Sequence, residues 1–169
     1  MAHDHTKHEG AAKLYELIKD VRIAMMTSVE QDGSLHSRPM YNHQVDDSGD
    51  LWFFSRAHDP KIKELKNDSQ INLAYSDPSH QNYVSVAGRA EIVQDKAKIK
   101  ELWSEGLRTW FPEGPDGSDI ALIRVHPSGG EYWDSPSRSF VQLYGYAKAR
   151  LTGEPPTEIT EQKKVSLSA

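Results

Sequence analysis

Apolar and polar residues alternate along residues 23–43 in a way that predicts a β-hairpin. An apolar, partly β-branched segment spans residues 23–29, and Asp32-Gly33 follows it, where the glycine accepts the positive φ of a tight turn. Alternate residues after the turn would share one face of the second strand, namely Leu35, Ser37, Pro39, Tyr41 and His43. Because Pro39 has no amide hydrogen, it leaves a gap in the hydrogen bonding of that strand. A flat polar ligand could fill this gap beside Arg38; alternatively, Arg38 is an ordinary surface arginine on an edge strand.

The rest of the chain shows short strand-like segments and a few helical ones. Strands are predicted over 51–54, 71–75, 83–93, 120–125 and 129–134, with Gly88 marking a bulge or a close approach of two backbones. Helices are predicted from an apolar stripe at residues 14–21, after Asp59-Pro60, after Asp95, and over 137–150. Six or seven hairpin-linked strands without regular βαβ alternation favour an antiparallel barrel. We therefore expect a mainly β fold, a β-barrel with flanking helices.

Both ends of the chain are polar. Residues 1–10 contain three histidines, which could bind a metal but more simply form a solvated tail. From Gly153 onward, Pro155-Pro156 and polar residues indicate a disordered tail over 151–169. The expected organisation is one domain over residues 11–150 between two tails.

Composition narrows the classes of function. The 169 residues include no cysteine, which excludes disulfides, thiolate catalysis and zinc-finger sites. A formal net charge of -5 argues against a general nucleic-acid binder. No apolar run is long enough for a membrane span, and the first residues lack the apolar core of a secretory signal, so a cytoplasmic location is expected.

Residues 106–118 form a segment rich in proline and glycine that carries Trp110 and Phe111. Large apolar side chains in such a loop are typical of a lid, an Ω-loop or a contact with another subunit.

The segment after the third predicted strand has the composition of an anion site. A helix that begins at Asp59-Pro60-Lys61 would offer backbone N–H groups and a partial positive charge to a phosphate. Ser55, Arg56 and His58 would lie nearby, with Arg38 reaching in from the hairpin. The alternative is an ordinary capped helix with a solvent-facing lysine.

Several standard catalytic and binding motifs are absent from the sequence outside the N-terminal tail. These are dinucleotide-binding glycine motifs, Walker-type loops, nucleophile elbows and paired metal-ligand histidines. Nothing specifically supports a serine hydrolase.

Taken in order, these motifs resemble the pyridoxamine phosphate oxidase-like, FMN-binding split-barrel family, and most closely its bacterial general stress protein subgroup. The resemblance covers about residues 11 to 150 and is carried by the ordered set Ser-Arg-Pro-Met (37–40), Leu-Trp-Phe-Phe-Ser (51–55), Asp-Pro-Lys-Ile-Lys-Glu-Leu (59–65), Gly-Arg-Ala-Glu-Ile (88–92), Trp-Phe-Pro-Glu-Gly (110–114) and Glu-Tyr-Trp-Asp (131–134). It implies a split antiparallel β-barrel of Greek-key topology. It also implies a homodimer with FMN, or FAD, bound between the subunits.

By the same resemblance, a set of residues would surround the flavin. The ring and ribityl chain would contact His36, Ser37, Arg38, Pro39 and Met40, and the same cleft would be lined by Phe53, Phe54 and Ser55. The phosphate would be held by Ser55 and Lys61. The partner subunit would contribute Trp110 and Phe111, which close over the ring, and further candidates are Gln81 and Trp133. Simple dimer packing is the alternative role for Trp110 and Trp133.

The sequence departs from the true pyridoxine phosphate oxidases. Where those enzymes carry an Arg-x-Val-Leu-Leu-Lys strand, residues 38–43 lack the final lysine, and no C-terminal Arg-Leu substrate motif is present because Arg150-Leu151 leads into the Gly-Pro tail. We therefore expect a flavin-dependent oxidoreductase of unknown substrate that does not oxidise vitamin B6, with no catalytic residue or metal assigned. The alternatives are a non-catalytic flavin carrier or sensor in a stress response, and a binder of haem or deazaflavin on the same fold.

Overall fold

The computed structural model describes residues 2–134 and 161–167. Its helices are α1 (Ala2–Lys19), α2 (Pro60–Asn67), α3 (Lys96–Leu102) and a short 3₁₀ helix (Glu105–Thr109). Its strands are β1 (Ile23–Val29), β2 (Leu35–Val45), β3 (Leu51–Ser55), β4 (Gln70–Asp77), β5 (Asn82–Val93), β6 (Ala121–Asp134) and β7 (Glu161–Ser166). None of the helices in these ranges combines the length and apolar content needed to cross a membrane.

All strand pairs in the described ranges are antiparallel, in the order β3-β2-β1-β4-β5-β6-β7. Strand β3 also pairs with the first part of β6. The strands β3-β2-β1-β4-β5-β6 therefore run in this order around a barrel. Strands β1, β2 and β3 are successive neighbours, while β4 returns through α2 to the other side of β1, which is a Greek-key arrangement. The predicted mainly β, split antiparallel barrel is therefore confirmed.

Gly88 lies where β5 and β6 change register. It stands opposite Pro127, and the pairing shifts between Ala87 and Gly88. A Cβ on Gly88 would lie 2.5 Å from the carbonyl oxygen of His126, so only glycine fits. The predicted close approach is thus confirmed, but the two strands predicted over 120–125 and 129–134 form the single strand β6. The extra residue of this bulge is Ser128 of β6, and β6 pairs with β5 on both sides of it.

The described residues form two apolar clusters. The larger lies inside the barrel and is covered by α1 through the buried side chains of Leu14 and Ile18. The smaller lies outside β3 and β6, and consists of Trp52, Ile99, Leu102, Leu107, Phe111, Ile120 and Leu122. This second cluster attaches α3 and residues 105–120 to the barrel wall, and it fixes where Phe111 lies.

The two chain ends differ from the expected tails. Residues 161–166 form β7, which pairs with Gly129–Asp134 of β6, so the expectation of disorder is wrong there. Backbone hydrogen bonds to β6 and the buried side chain of Val165 stabilise this polar strand. At the other end, α1 begins at Ala2 rather than near residue 11. The helix predicted over 137–150 lies outside the described residues.

Candidate functional site

A cavity of about 230 Å³ opens between β2, β3, the start of α2 and the segment that follows the 3₁₀ helix. Its walls are formed by Pro39, Met40, Tyr41, Phe54, Ser55, Arg56, Asp59, Lys61, Leu107, Trp110 and Phe111. These side chains divide into a polar group and an aromatic group. We call this cavity the β2–β3 pocket.

Lys61 is at the centre of the polar group. Its ammonium lies 2.5 Å from Asp59 Oδ2 and 3.3 Å from Ser55 Oγ, and its side chain is only 11% exposed. Burial acts to raise the pKa of Asp59, but the hydrogen bonds and charge of Lys61 outweigh it and lower that pKa. Burial of the side chain and the Asp59 carboxylate therefore hold this cation against the pocket.

Asp59 also caps α2. Its Oδ1 accepts a hydrogen bond from the amide of Lys61 at 3.1 Å, and its carbonyl accepts one from Ile62 at 2.9 Å. Pro60, the first helical residue, has no amide hydrogen. The amides of this first turn are consequently engaged within the chain, which differs from the free helix N-terminus that the sequence suggested.

The other predicted cations have carboxylate partners. Arg56 donates to the carbonyl of Trp110 at 3.0 Å and lies 3.6 Å from Asp119, which also contacts His58 at 2.8 Å. His58 points into solvent and does not line the pocket. The polar group therefore contains Lys61 and Arg56 as cations, each already beside a carboxylate.

The aromatic group surrounds the other part of the pocket. The rings of Tyr41 and Trp110 lie 6.4 Å apart, and Phe54 contacts Phe111 with centroids 6.1 Å apart. Trp110 is 53% exposed, whereas Phe111 is buried in the second apolar cluster. Phe54 also forms a T-shaped pair with His43, with ring centroids 5.3 Å apart. Burial lowers the pKa of this imidazole.

The outer face of β1 and β2 adjoins the pocket and is apolar. Register pairs place Ile23 opposite Tyr41 and Met25 opposite Pro39 on this face. The large hydrophobic side chains exposed in the described ranges are Ile23, Met25, Leu35, Tyr41, Tyr83 and Trp110. Strand pairing puts the first five on one continuous sheet face, and Trp110 stacks near Tyr41 at its margin. The alternate residues of β1 and β2 that form this face include no charged side chain.

The family model described as pyridoxamine 5'-phosphate oxidase like matches residues 9–157. The chain belongs to this family. Protein bli-3 of Neurospora crassa is 28% identical over 157 residues, which cover 84% of this chain and 75% of that protein.

Solved structures agree with this assignment. The general stress protein 26 of Jannaschia sp. CCS1 is 27% identical, with a TM-score of 0.77 over 94% of this chain and 99% of that one. The general stress FMN/FAD binding protein of Xanthomonas citri is 25% identical, with a TM-score of 0.65 over 75% of this chain and 89% of that one. The resemblance to the general stress subgroup is thereby confirmed.

For this pyridoxamine 5'-phosphate oxidase-like chain, the structure brings together only part of the predicted residue set. Pro39, Met40, Phe54, Ser55, Lys61, Trp110 and Phe111 line the β2–β3 pocket. The resemblance implied that Trp110 and Phe111 would come from the partner subunit. In this structure they line the pocket of their own chain, because Leu107 and Phe111 anchor their segment to their own barrel.

The other predicted residues lie elsewhere. His36 pairs with Glu30 at 2.7 Å, and Ser37 contacts Thr27 at 2.7 Å, further along the hairpin. Arg38 turns toward α2. Phe53 is fully buried in the barrel core, and Gln81 and Trp133 lie near the other ends of β5 and β6. None of these six side chains lines the β2–β3 pocket.

Sequence reasoning placed Arg56 near an anion site and Asp59 at the start of the adjoining helix, but it named neither as a flavin contact, and it missed Tyr41 and Leu107. Arg56 and Asp59 had a usable signal, since they flank Ser55 and Lys61 along the chain. Leu107 had none, because only the packing of the second apolar cluster turns it toward the pocket.

Proposed function

We propose that this chain binds FMN, with FAD as the alternative, in the β2–β3 pocket. The observation that carries the proposal is that one cavity combines a half-exposed tryptophan, a phenylalanine pair and a buried lysine beside a serine hydroxyl. A planar ring pairs with the aromatic side chains, and a terminal phosphate accepts hydrogen bonds from the ammonium and the hydroxyl. The FMN/FAD binding description of the Xanthomonas citri relative supports this choice.

Each group of side chains has a distinct part in this binding. Tyr41, Phe54, Trp110 and Phe111 cover the ring and exclude water from it. Lys61 retains an N–H beyond those directed at Asp59 and Ser55, and this N–H is available to a phosphate oxygen. A bound flavin would supply the redox chemistry, while the protein orients the ring and sets its surroundings.

We propose further that two copies of the chain pair through the outer face of β1 and β2. A contiguous uncharged face that exposes Ile23, Met25 and Leu35 is typical of an interface and not of a free surface. The face continues to Tyr41 and Trp110, so a second copy would also cover the mouth of the pocket. Tyr83 pairs with Trp133 at the far margin of this face, from where Trp133 and the nearby Gln81 would reach the flavin of the other subunit.

The first candidate activity is a flavin-dependent oxidoreductase whose substrate is not vitamin B6. A flavin carrier or sensor is the second candidate, and one observation favours it. The ionisable side chains of the pocket wall are engaged with other protein groups: Lys61 with Asp59, Arg56 with Asp119, and the Tyr41 hydroxyl with Arg22 at 3.0 Å. Such a wall presents no uncommitted general acid or base to a substrate.

Titration of purified protein with FMN, followed by flavin fluorescence, tests the binding proposal. We expect Lys61→Ala to weaken binding by about tenfold or more, because a hydrogen bond from a charged group is lost. Lys63→Ala is the matched control: Lys63 is exposed on the same helix and does not line the β2–β3 pocket, so FMN affinity should not change. Equal affinity in wild type and Lys61→Ala would place the phosphate elsewhere.

The absorbance spectrum of the protein as purified separates flavin from haem and deazaflavin. Steady-state NAD(P)H consumption by the flavin-loaded protein then separates the two candidate functions. Turnover with any of several acceptors supports the oxidoreductase, and its absence with all of them supports the carrier.

A further inference from the structure

Asp59 places a carboxylate inside the site proposed for the flavin phosphate. Its Oδ2 lies 2.5 Å from the Lys61 ammonium, on the wall of the β2–β3 pocket. The same carboxylate uses Oδ1 to cap α2, so its position is fixed by the start of the helix. The cation that would attract a phosphate is therefore already neutralised by an anion of the same chain.

Neighbouring charges do not offset this carboxylate. Arg56 lies beside Asp119 at 3.6 Å, and Arg38, whose positive charge helps to lower the pKa of Asp59, bonds Glu64 at 2.8 Å. Asp119 also contacts the imidazole of His58. The charged side chains around the polar part of the pocket are therefore three cations, Lys61, Arg56 and Arg38, and three anions, Asp59, Asp119 and Glu64. A phosphate entering this region would lie beside a carboxylate, and the two nearby arginines of the described residues, Arg38 and Arg56, already have carboxylate partners.

We propose that Asp59 is a specificity-determining residue that competes with the phosphate of the flavin for Lys61. This inference rests on the proposed function, and it adds that the phosphate is held against an opposing charge, which keeps the flavin exchangeable. The competition acts only on ligands with an anionic end, because the ring would lie against the aromatic group of the pocket and away from the carboxylate. Repulsion between the carboxylate and the phosphate is strongest where water is excluded, and Lys61 is mostly buried there.

The substitution Asp59→Asn removes the charge and keeps the helix cap, since asparagine caps helices about as well as aspartate. Asp95→Asn is a matched control, because Asp95 caps α3 through the amide of Ala97 and lies away from the pocket. FMN and riboflavin are the two probes, and they differ only in the phosphate. Dissociation constants come from flavin fluorescence, and FMN release is followed after dilution of the loaded protein.

We expect Asp59→Asn to tighten FMN binding by about tenfold and to slow its release, with riboflavin affinity unchanged, and Asp95→Asn to alter neither. Unchanged or weaker FMN binding in Asp59→Asn would overturn the inference, because the carboxylate would then only position Lys61. An equal gain for riboflavin would overturn it too, because the effect would not act on the phosphate. A wild-type protein that binds no flavin overturns the proposed function as well, whereas flavin binding that Asp59→Asn fails to strengthen overturns this inference alone.

Discussion

The guanidinium of Arg38 bonds the carboxylate of Glu64 at 2.8 Å and the hydroxyl of Ser28 at 2.8 Å, joining β2 to α2 across β1. Ser28 in turn donates to Glu64 at 2.9 Å, so the three side chains form a closed set of hydrogen bonds. The Arg38 side chain is 13% exposed and that of Glu64 is 16% exposed. Arg38 thus holds α2 on the barrel, which fixes the place where Asp59 and Lys61 enter the pocket.

Arg38→Ala is therefore expected to destabilise the fold more than it weakens flavin binding. The loss in free energy of unfolding should be about 3 kcal/mol, since Glu64 is left as a largely buried charge without its partner. Urea unfolding measures this loss. Arg22→Ala, which removes an exposed arginine bonded to the Tyr41 hydroxyl, should cost about 0.5 kcal/mol or less. A stable Arg38→Ala protein that has lost flavin affinity would instead indicate that Arg38 contacts the cofactor.

Tyr75→Phe is expected to leave stability unchanged or to raise it by about 1 kcal/mol. The Tyr75 hydroxyl is buried and has no hydrogen-bond partner among the described residues, and burial raises the pKa of this phenol. Tyr15→Phe provides the contrast, because the Tyr15 hydroxyl donates to the carbonyl of Gly49 at 3.1 Å and its loss should cost about 1 kcal/mol. Thermal or urea unfolding of both variants measures the difference, and a clear loss in Tyr75→Phe would reveal a partner for that hydroxyl.

Asp46 should contribute to acid sensitivity. Burial acts to raise the pKa of Asp46, but hydrogen bonds from Ser48, Trp52 and two backbone amides outweigh it and lower that pKa to about 2. Because the folded value lies below the ordinary 3.8, the carboxylate stabilises the fold above pH 3.8, and this contribution disappears as the pH falls to about 2.

The measurement is the free energy of unfolding between pH 5 and pH 2. In Asp46→Asn, the free energy of unfolding should fall by about 1 kcal/mol less over this pH range than in wild type. This figure is reduced from the full effect of the pKa shift because solvent partly screens the carboxylate. Asp47→Asn, which alters the exposed neighbour, serves as the control. Identical slopes for Asp46→Asn and wild type would contradict the assigned role of these hydrogen bonds.

Trp110→Ala is expected to weaken flavin binding by about tenfold, since stacking and burial against one aromatic face are lost. Trp103→Ala is the comparison, because Trp103 contacts Phe54 with centroids 6.2 Å apart but does not line the pocket. Fluorescence titration with FMN measures both. Equal losses in the two variants would indicate a general disturbance of the second apolar cluster and not a contact with the ring.

Met25→Lys should convert the proposed dimer to monomer. Met25 lies in the middle of the outer face of β1 and β2, where a buried lysine would lack a partner. Analytical ultracentrifugation measures the change, and Gln94→Lys, in the exposed connection between β5 and α3, should leave the mass unaltered. A monomeric wild type would contradict the dimer proposal directly.

Local signals in the sequence predicted many elements accurately. The Asp32-Gly33 hairpin, the Asp59-Pro60 helix start and the Asp95 cap all depend on neighbours within a few residues, and the structure confirms each. A bulge or a close backbone approach at Gly88 was also predicted, because glycine within a long strand has few other reasons to be there. Strand β7 was not predicted. Its polar residues form a strand only because they pair with β6, some thirty positions away in the chain.

By itself the sequence determined the family, the mainly β split barrel and the identity of seven residues of the pocket wall, since these follow from short-range patterns and from ordered motifs. Only the tertiary structure decided how the charged side chains are partnered. Arg38 could reach Glu64 as readily as a ligand, and Asp59 could cap its helix with or without contacting Lys61. The choice is made by packing of α2 against β1 and β5, which sets distances between residues that no local pattern relates.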